Sequence, residues 1–211
     1  IGSVLTGASH LNKTGDGTLM LASANSYTGS TTVAAGTLWI ASETSARVTI
    51  ANAGFESPAF GDGGWSYNPA GAGWNFGGAG IGRSGSPWVN TAPEGMQVGF
   101  IQNNSAISRT LTVAEAGFYD LTFKAANRPN YAGSGIDVKI DGVTVKNHPA
   151  GSFASGAVFN TFTVRGIRLE AGSRVLTFAG IQSGSDSATT IDDVRVTYAA
   201  SGSLPAATAL A

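Results

Sequence analysis

Two carboxylates and a crowd of aromatic rings carry most of the chemistry that this sequence could perform. Ile191-Asp192-Asp193-Val194-Arg195-Val196 reads as a strand. Asp192 has the parity of Val194, Val196 and Tyr198, and Asp193 that of Arg195 and Thr197. A carboxylate on an apolar face must be hydrogen-bonded, paired or bound to a metal. Glu56, in Asn52-Ala-Gly-Phe-Glu-Ser-Pro58, meets it if the first and last strands of the region pair. Two carboxylates with backbone carbonyls make a hard oxygen site of the kind Ca²⁺ takes. Alternatively, Asp192 caps a turn or accepts backbone N–H bonds. A bulge in the strand would bring Asp193 to the ion in its place.

The rings are Trp65, Tyr67, Trp74, Phe76 and Trp88, with Tyr131 further on. Flat rings stack on the C–H faces of pyranoses, while Arg, Asn and Gln bond hydroxyls. Gln102, Asn103, Arg128 and Asn130, with Arg83, could supply those polar groups. Tyr67 and Tyr131 lead as ligand contacts because Pro and Asn neighbours put them in loops. Asn127-Arg-Pro-Asn-Tyr131 lies between two strand patterns, and connections at a sandwich end concentrate binding residues. The other role open to each ring, Trp74 included, is to fill the core beneath a long loop.

Catalysis is not expected. The two histidines, His10 and His148, fall in a repeat region and after a hairpin strand. No Gly-x-Ser-x-Gly elbow, His-Glu-x-x-His pair or phosphate loop is present. Without cysteine there is no thiol nucleophile, disulfide or thiolate metal site. Most acids fall on polar strand faces or in turns, where solvation explains them.

The elements that position these groups are strands. Charged residues make up only 12% of the chain and Gly numbers 30, which suits closely packed β-structure with many turns. Net charge is −1 and no Lys/Arg block occurs, which argues against nucleic acid or an anionic membrane surface as partner. No apolar run reaches the ~18 residues of a membrane span, so no membrane insertion is expected. Gly17-Thr-Leu-Met-Leu21 returns as Gly36-Thr-Leu-Trp-Ile40, and self-similarity at that period marks stacked β-structure. From about 49 the pattern changes. Residues 61–95 carry few strand signals, and clean alternations follow them, as in Tyr119, Leu121, Phe123 and Ala125. Asp141-Gly142 predicts a type I′ hairpin. Sustained helical periodicity is absent.

Several strings carry a family resemblance: Tyr67-Asn-Pro-Ala-Gly, Trp74-Asn-Phe-Gly-Gly-Ala-Gly-Ile81, Gln97-Val-Gly-Phe-Ile-Gln-Asn103, Ala116-Gly-Phe-Tyr-Asp-Leu-Thr-Phe123, Ala126-Asn-Arg-Pro-Asn-Tyr131 and Ile191-Asp-Asp-Val194. Over 52–198 the chain resembles galactose-binding-like jelly-roll modules of bacterial secreted proteins, including carbohydrate-binding modules. The resemblance implies a Ca²⁺ held by the Gly54 carbonyl, Glu56 and Asp192. The flanks, with Lys13-Thr-Gly-Asp-Gly-Thr-Leu19, Asn25-Ser-Tyr-Thr-Gly29, Thr32-Val-Ala-Ala-Gly-Thr-Leu38 and Leu204-Pro-Ala-Ala-Thr-Ala-Leu210, resemble autotransporter-associated β-strand repeats.

The expectation is an all-β chain: an antiparallel β-sandwich (50–198) inserted in or between β-solenoid rungs (1–49, with a return at 199–211). The expected function is non-catalytic binding of a polysaccharide or glycan on a secreted or bacterial cell-surface protein of several domains. The alternative is a structural or adhesive passenger segment that binds a protein or spaces other modules.

Overall fold

The computed structural model describes residues 5–21, 25–40, 48–154, 158–182 and 186–200. The repeat becomes two pairs of short parallel strands. β1 (Leu11–Lys13) pairs with β3 (Thr31–Val33), and β2 (Thr18–Leu21) pairs with β4 (Thr37–Ile40). Thr18 faces Thr37 and Leu19 faces Leu38, so the sequence repeat is itself the ladder register. Gly36, at φ 76°, passes so close to the Gly15 and Gly17 carbonyls that a Cβ would lie 2.4 and 2.3 Å from their oxygens. Lys13 fills the same turn. Its buried ammonium donates to the carbonyls of Thr14, Gly15 and Ala35 at 3.0, 2.5 and 3.0 Å, using all three donors.

The remaining strands form a sandwich of two antiparallel sheets, a jelly roll. They are β5 (Trp65–Tyr67), β6 (Asn75–Gly77), β7 (Gly80–Arg83), β8 (Gln97–Gln102), β9 (Ala106–Val113), β10 (Gly117–Asn127), β11 (Ile136–Ile140), β12 (Val143–His148), β13 (Asn160–Leu169), β14 (Gly172–Gly180) and β15 (Ala188–Ala200). One sheet runs β13-β10-β15-β8-β7-β5 and the other β12-β11-β14-β9-β6. Alternation in β10 places Tyr119, Leu121, Phe123 and Ala125 in the core between them, with Ile107, Ile136, Phe178 and Ile191. Asp141 and Gly142 turn at φ 49° and 83°, as the hairpin signal predicts. β5, β6 and β7 lie in the stretch where the sequence signals few strands. They are three or four residues long and glycine interrupts two of them, which leaves too few side chains for a period of two to register.

The two ends of the sandwich region meet: Val48 bridges Val196, and the Val194 N–H donates to the Ala53 carbonyl at 3.2 Å. β15 is bulged where it passes β10, with Asp193 at φ 49°. Ile191, Val194 and Val196 all join the core, so the unbroken parity that placed Asp192 inward with Val194 stops at Asp193. The expected return of the chain to repeat structure falls, from 201 onward, outside the described residues.

Candidate functional site

On the outer face of the six-stranded sheet, glycine makes room for a layer of rings. Tyr67 pairs with Gly80, which pairs with Phe100, in one row across β5, β7 and β8. A Cβ on Gly80 would lie 2.4 Å from Phe100 Cζ. One on Gly82 would lie 3.0 Å from Trp88 Cβ. Without those Cβ atoms, Phe100 and Trp88 lie flat on one another, centroids 3.8 Å apart. Tyr67 meets the edge of both rings, at 5.1 Å from Phe100 and 5.7 Å from Trp88, and Trp65 meets Trp88 at 5.8 Å. The loop that carries Trp88 thus gives this face of β8 a second small core, and both Phe100 and Ile101 of β8 are fully buried. Trp65 and Tyr67 remain exposed at its rim.

Arg128, at the end of β10, extends the pile. Its guanidinium lies 4.3 Å from the Trp88 ring centre and 3.7 Å from that of Tyr131, which is itself 47% exposed. This is a cation–π arrangement, and only a planar cation stacks so. Arg128 is buried. Its Nε donates to the Pro87 carbonyl and its Nη1 to Asp186 Oδ1, both at 3.0 Å. The Gln102 amide also donates to Asp186 Oδ1, and Tyr67 donates its hydroxyl to Gln102 Oε1 at 2.5 Å. Burial first, then the Asp186 charge, raises the phenol of Tyr67 above its ordinary range, against the pull of Arg128. The result is an open aromatic shelf with one half-exposed carboxylate at its edge.

Of the ligand contacts expected from sequence, the fold brings Tyr67, Gln102, Arg128 and Tyr131 together here. Trp74 lies in the main core, stacked on Phe55 at 5.0 Å, its indole N–H donating to the Asn52 carbonyl. Asn103 is a turn residue at φ 52°, and its side-chain oxygen accepts the Ser187 N–H. Asn130, at φ 62°, is exposed beside Tyr131. Asp186 was missed, because an acid in Ser-Gly-Ser-Asp-Ser reads as a solvated turn. A separate shallow groove lined by Val48, Ile50, Ala53, Val194 and Val196, with Thr49, Arg195 and Thr197, offers no carboxylate or imidazole.

A second polar cluster joins the first and last segments. Asp192 is wholly buried and accepts the N–H groups of Asp193 and Glu94 at 2.7 and 3.2 Å. Burial pushes its carboxyl up to about 8, and the Glu94 charge adds to that, against those two N–H bonds. No cation among the described residues pairs with it. Lys124 and Arg195 both bind Asp193 instead. Gly54 lies over the pair: a Cβ there would be 2.1 Å from Glu94 Oε2 and 3.5 Å from Asp192 Oδ1. Glu56 turns the other way, Oε1 accepting the Met96 and Gln97 N–H groups at 2.8 Å each. A buried, unpaired carboxylate beside a second carboxylate, with backbone at hand, is the donor chemistry a divalent cation satisfies. Among the described residues no cluster of three or more His, Cys, Asp or Glu forms, so main-chain oxygens would complete such a site.

Residues 11–40 match the passenger-associated-transport-repeat model, and residues 46–210 match the model of the HpiC1-like family, described as HpiC1 cyclase. The second match spans well over half of the sequence. The chain belongs to the HpiC1-like cyclase family. Solved structures share the fold of this HpiC1-like chain. One is a Stig cyclase, FisC from Fischerella sp. TAU, in complex with (3Z)-3-(1-methyl-2-pyrrolidinylidene)-3H-indole. It is 19% identical, covers 75% of this chain and 100% of its own, and has a TM-score of 0.60. An apo cyclase from Fischerella sp. is 17% identical over 77% of this chain and 100% of its own, TM-score 0.59. A cyclase from Fischerella sp. TAU in complex with 4-(1H-indol-3-yl)butan-2-one is 18% identical over 74% and 99%, TM-score 0.58. No curated protein matches the chain.

Membership of a cyclase family corrects two expectations: that the module is a non-catalytic polysaccharide-binding or passenger segment, and that it is not an enzyme. The exclusion of catalysis rested on missing histidine, serine and cysteine motifs. Those motifs serve acyl transfer and hydrolysis, and ring closure by proton transfer needs neither. The jelly roll and the repeat at 11–40 stand.

Proposed function

We propose that this chain is a cyclase that closes a ring in a small, flat, nitrogen-containing substrate bound on the aromatic shelf. The observation that carries the reading is the Asp186 carboxylate, half exposed and tied to two rings of the shelf, to Tyr67 through Gln102 and to Tyr131 through Arg128. Ring faces stabilise cations and a carboxylate complements them. The reaction class follows from these groups. A substrate bearing an iminium-like carbon receives a π electron pair from its other half, and this forms the ring C–C bond. The positive charge passes to the half that gave the pair. A C–H bond there breaks, its electrons restore the double bond, and the proton goes to Asp186. Solvent reaches Asp186 and takes the proton away, which closes the cycle. Proton transfer by a positioned group contributes about 10²–10⁴-fold.

The ligands of the two Fischerella cyclase complexes supply probes. The pyrrolidinylidene indole is a basic vinylogous amidine that becomes a delocalised cation, and the indolyl butanone is neutral. The expected result is that the shelf binds both, the basic probe more tightly, and that Asp186→Asn weakens only the basic one. Equal affinities, unchanged by Asp186→Asn and by Trp65→Ala, would sink the reading.

We also propose that Ca²⁺ joins the two ends of the sandwich through Asp192 and Glu94 with main-chain oxygens of the Gly54 segment. It would neutralise two facing carboxylates and take no part in the proton transfer. The repeat match supports a place for the module on a secreted, surface-displayed stack of parallel-strand rungs, of which β1 to β4 are a part.

A further inference from the structure

Asp186 has two oxygens, and the fold treats them differently. Arg128 Nη1 and the Gln102 amide both donate to Oδ1, while no described residue donates to Oδ2. The backbone fixes the residue as well. Asp186 takes φ 52°, a left-handed conformation that Asp tolerates better than most side chains. On its C-terminal side Ser187 is pinned to Asn103 by two hydrogen bonds: Asn103 N–H to the Ser187 carbonyl at 2.8 Å, and Ser187 N–H to Asn103 Oδ1 at 3.1 Å. Arg128 is held in turn on both faces and at Nε, by Trp88, Tyr131 and the Pro87 carbonyl. A buried guanidinium on three supports, with one N–H on a half-exposed carboxylate, is a fixture that sets which carboxylate oxygen is held.

We propose that Arg128, together with Gln102, is a positioning residue for Asp186: it holds Oδ1 and leaves Oδ2 as the single oxygen that meets the substrate and receives its proton. This rests on the reading of the shelf as the reaction site. Tyr67 extends the chain of bonds through Gln102, so one ring of the shelf and the acceptor carboxylate are set by the same network.

The test is a double-mutant cycle on affinity for (3Z)-3-(1-methyl-2-pyrrolidinylidene)-3H-indole, with wild type, Asp186→Asn, Arg128→Met and the double variant, each checked for folding by thermal unfolding. Arg128→Met is expected to lose about tenfold in the wild-type background and nothing further beside Asp186→Asn, because its effect runs through that carboxylate. Arg128→Lys, which keeps charge and a donor without the planar stack, is expected to fall between; it carries the comparison if Arg128→Met fails to fold. The same loss in both backgrounds, or no loss, overturns the proposal. If wild type does not bind the probe, the shelf reading fails, and nitrogen NMR of Arg128 still judges the clamp. Resolved Nη signals that merge in Asp186→Asn support it, and signals already merged in wild type overturn it.

Discussion

Trp88 and Phe100 lie face to face, ring centroids 3.8 Å apart and planes 3° from parallel, over two glycines of β7. The whole shelf depends on that contact, since Arg128 stacks on the far side of Trp88 and Tyr67 closes on its edge.

Gly80→Ala is therefore expected to displace the pile. Its Cβ would lie 2.2 Å from the Ser66 carbonyl oxygen and 2.4 Å from Phe100 Cζ, and the first of these is backbone. Overpacking of this kind costs about 1–3 kcal/mol. Calorimetry should show that loss, and probe affinity should fall with it.

Trp74 and Tyr131 should part company on substitution. Trp74 is 4% exposed in the main core, so Trp74→Ala is expected to cost about 3–5 kcal/mol in urea unfolding. Tyr131, 47% exposed, gives up chiefly its cation–π contact, about 1 kcal/mol. Tyr131→Ala should lose about tenfold in affinity for the basic probe while it stays folded.

Chelation tests the carboxylate pair. EDTA should lower the melting temperature, and millimolar Ca²⁺ should raise it with the logarithm of the excess over Kd. Above about pH 8, where the buried Asp192 carboxyl is ionised without the ion, Asp192→Asn removes one of two facing charges. It should melt higher than wild type in EDTA and respond little to Ca²⁺. An unchanged Ca²⁺ response in Asp192→Asn would place the ion elsewhere.

His148 gives the fold a defined acid limit. Burial, then the Lys146 charge, holds its imidazole below the ordinary range, among Phe123, Phe153 and Phe162. The folded state thus favours the neutral ring, while the unfolded chain takes up a proton near pH ~6.5. Stability from this group is full above that pH and is lost as the pH falls toward the depressed folded value. Melting temperatures measured from pH 7.5 to 5 should drop less steeply in His148→Phe than in wild type.

Much of the architecture was legible in local pattern. The repeat predicts its own ladder because similar segments stack in register, as Thr18 with Thr37. Alternation in β10 and the Asp-Gly turn are local in the same way. Arg128 and Tyr131 could be chosen because loop position and side-chain chemistry are properties of short segments; Tyr67, expected in a loop, instead ends the short strand β5, and Gln102 ends β8.

What tertiary structure alone decided is which of several equivalent residues meet. Trp74 and Trp88 look alike in sequence, yet one stacks on Phe55 inside the core and the other forms the floor of the shelf. Gly80 and Gly82 read as loop residues until strand pairing sets them opposite Phe100 and under Trp88. Asp186 lies 58 residues from Arg128 and 84 from Gln102, and only sheet closure brings its carboxylate to both. Glu94 likewise reaches Asp192 across 98 residues. Side-chain type and spacing are written locally and set the strands. A site built from several loops and strand ends is a long-range property, fixed by register and a bulge at Asp193 that one strand's pattern does not contain.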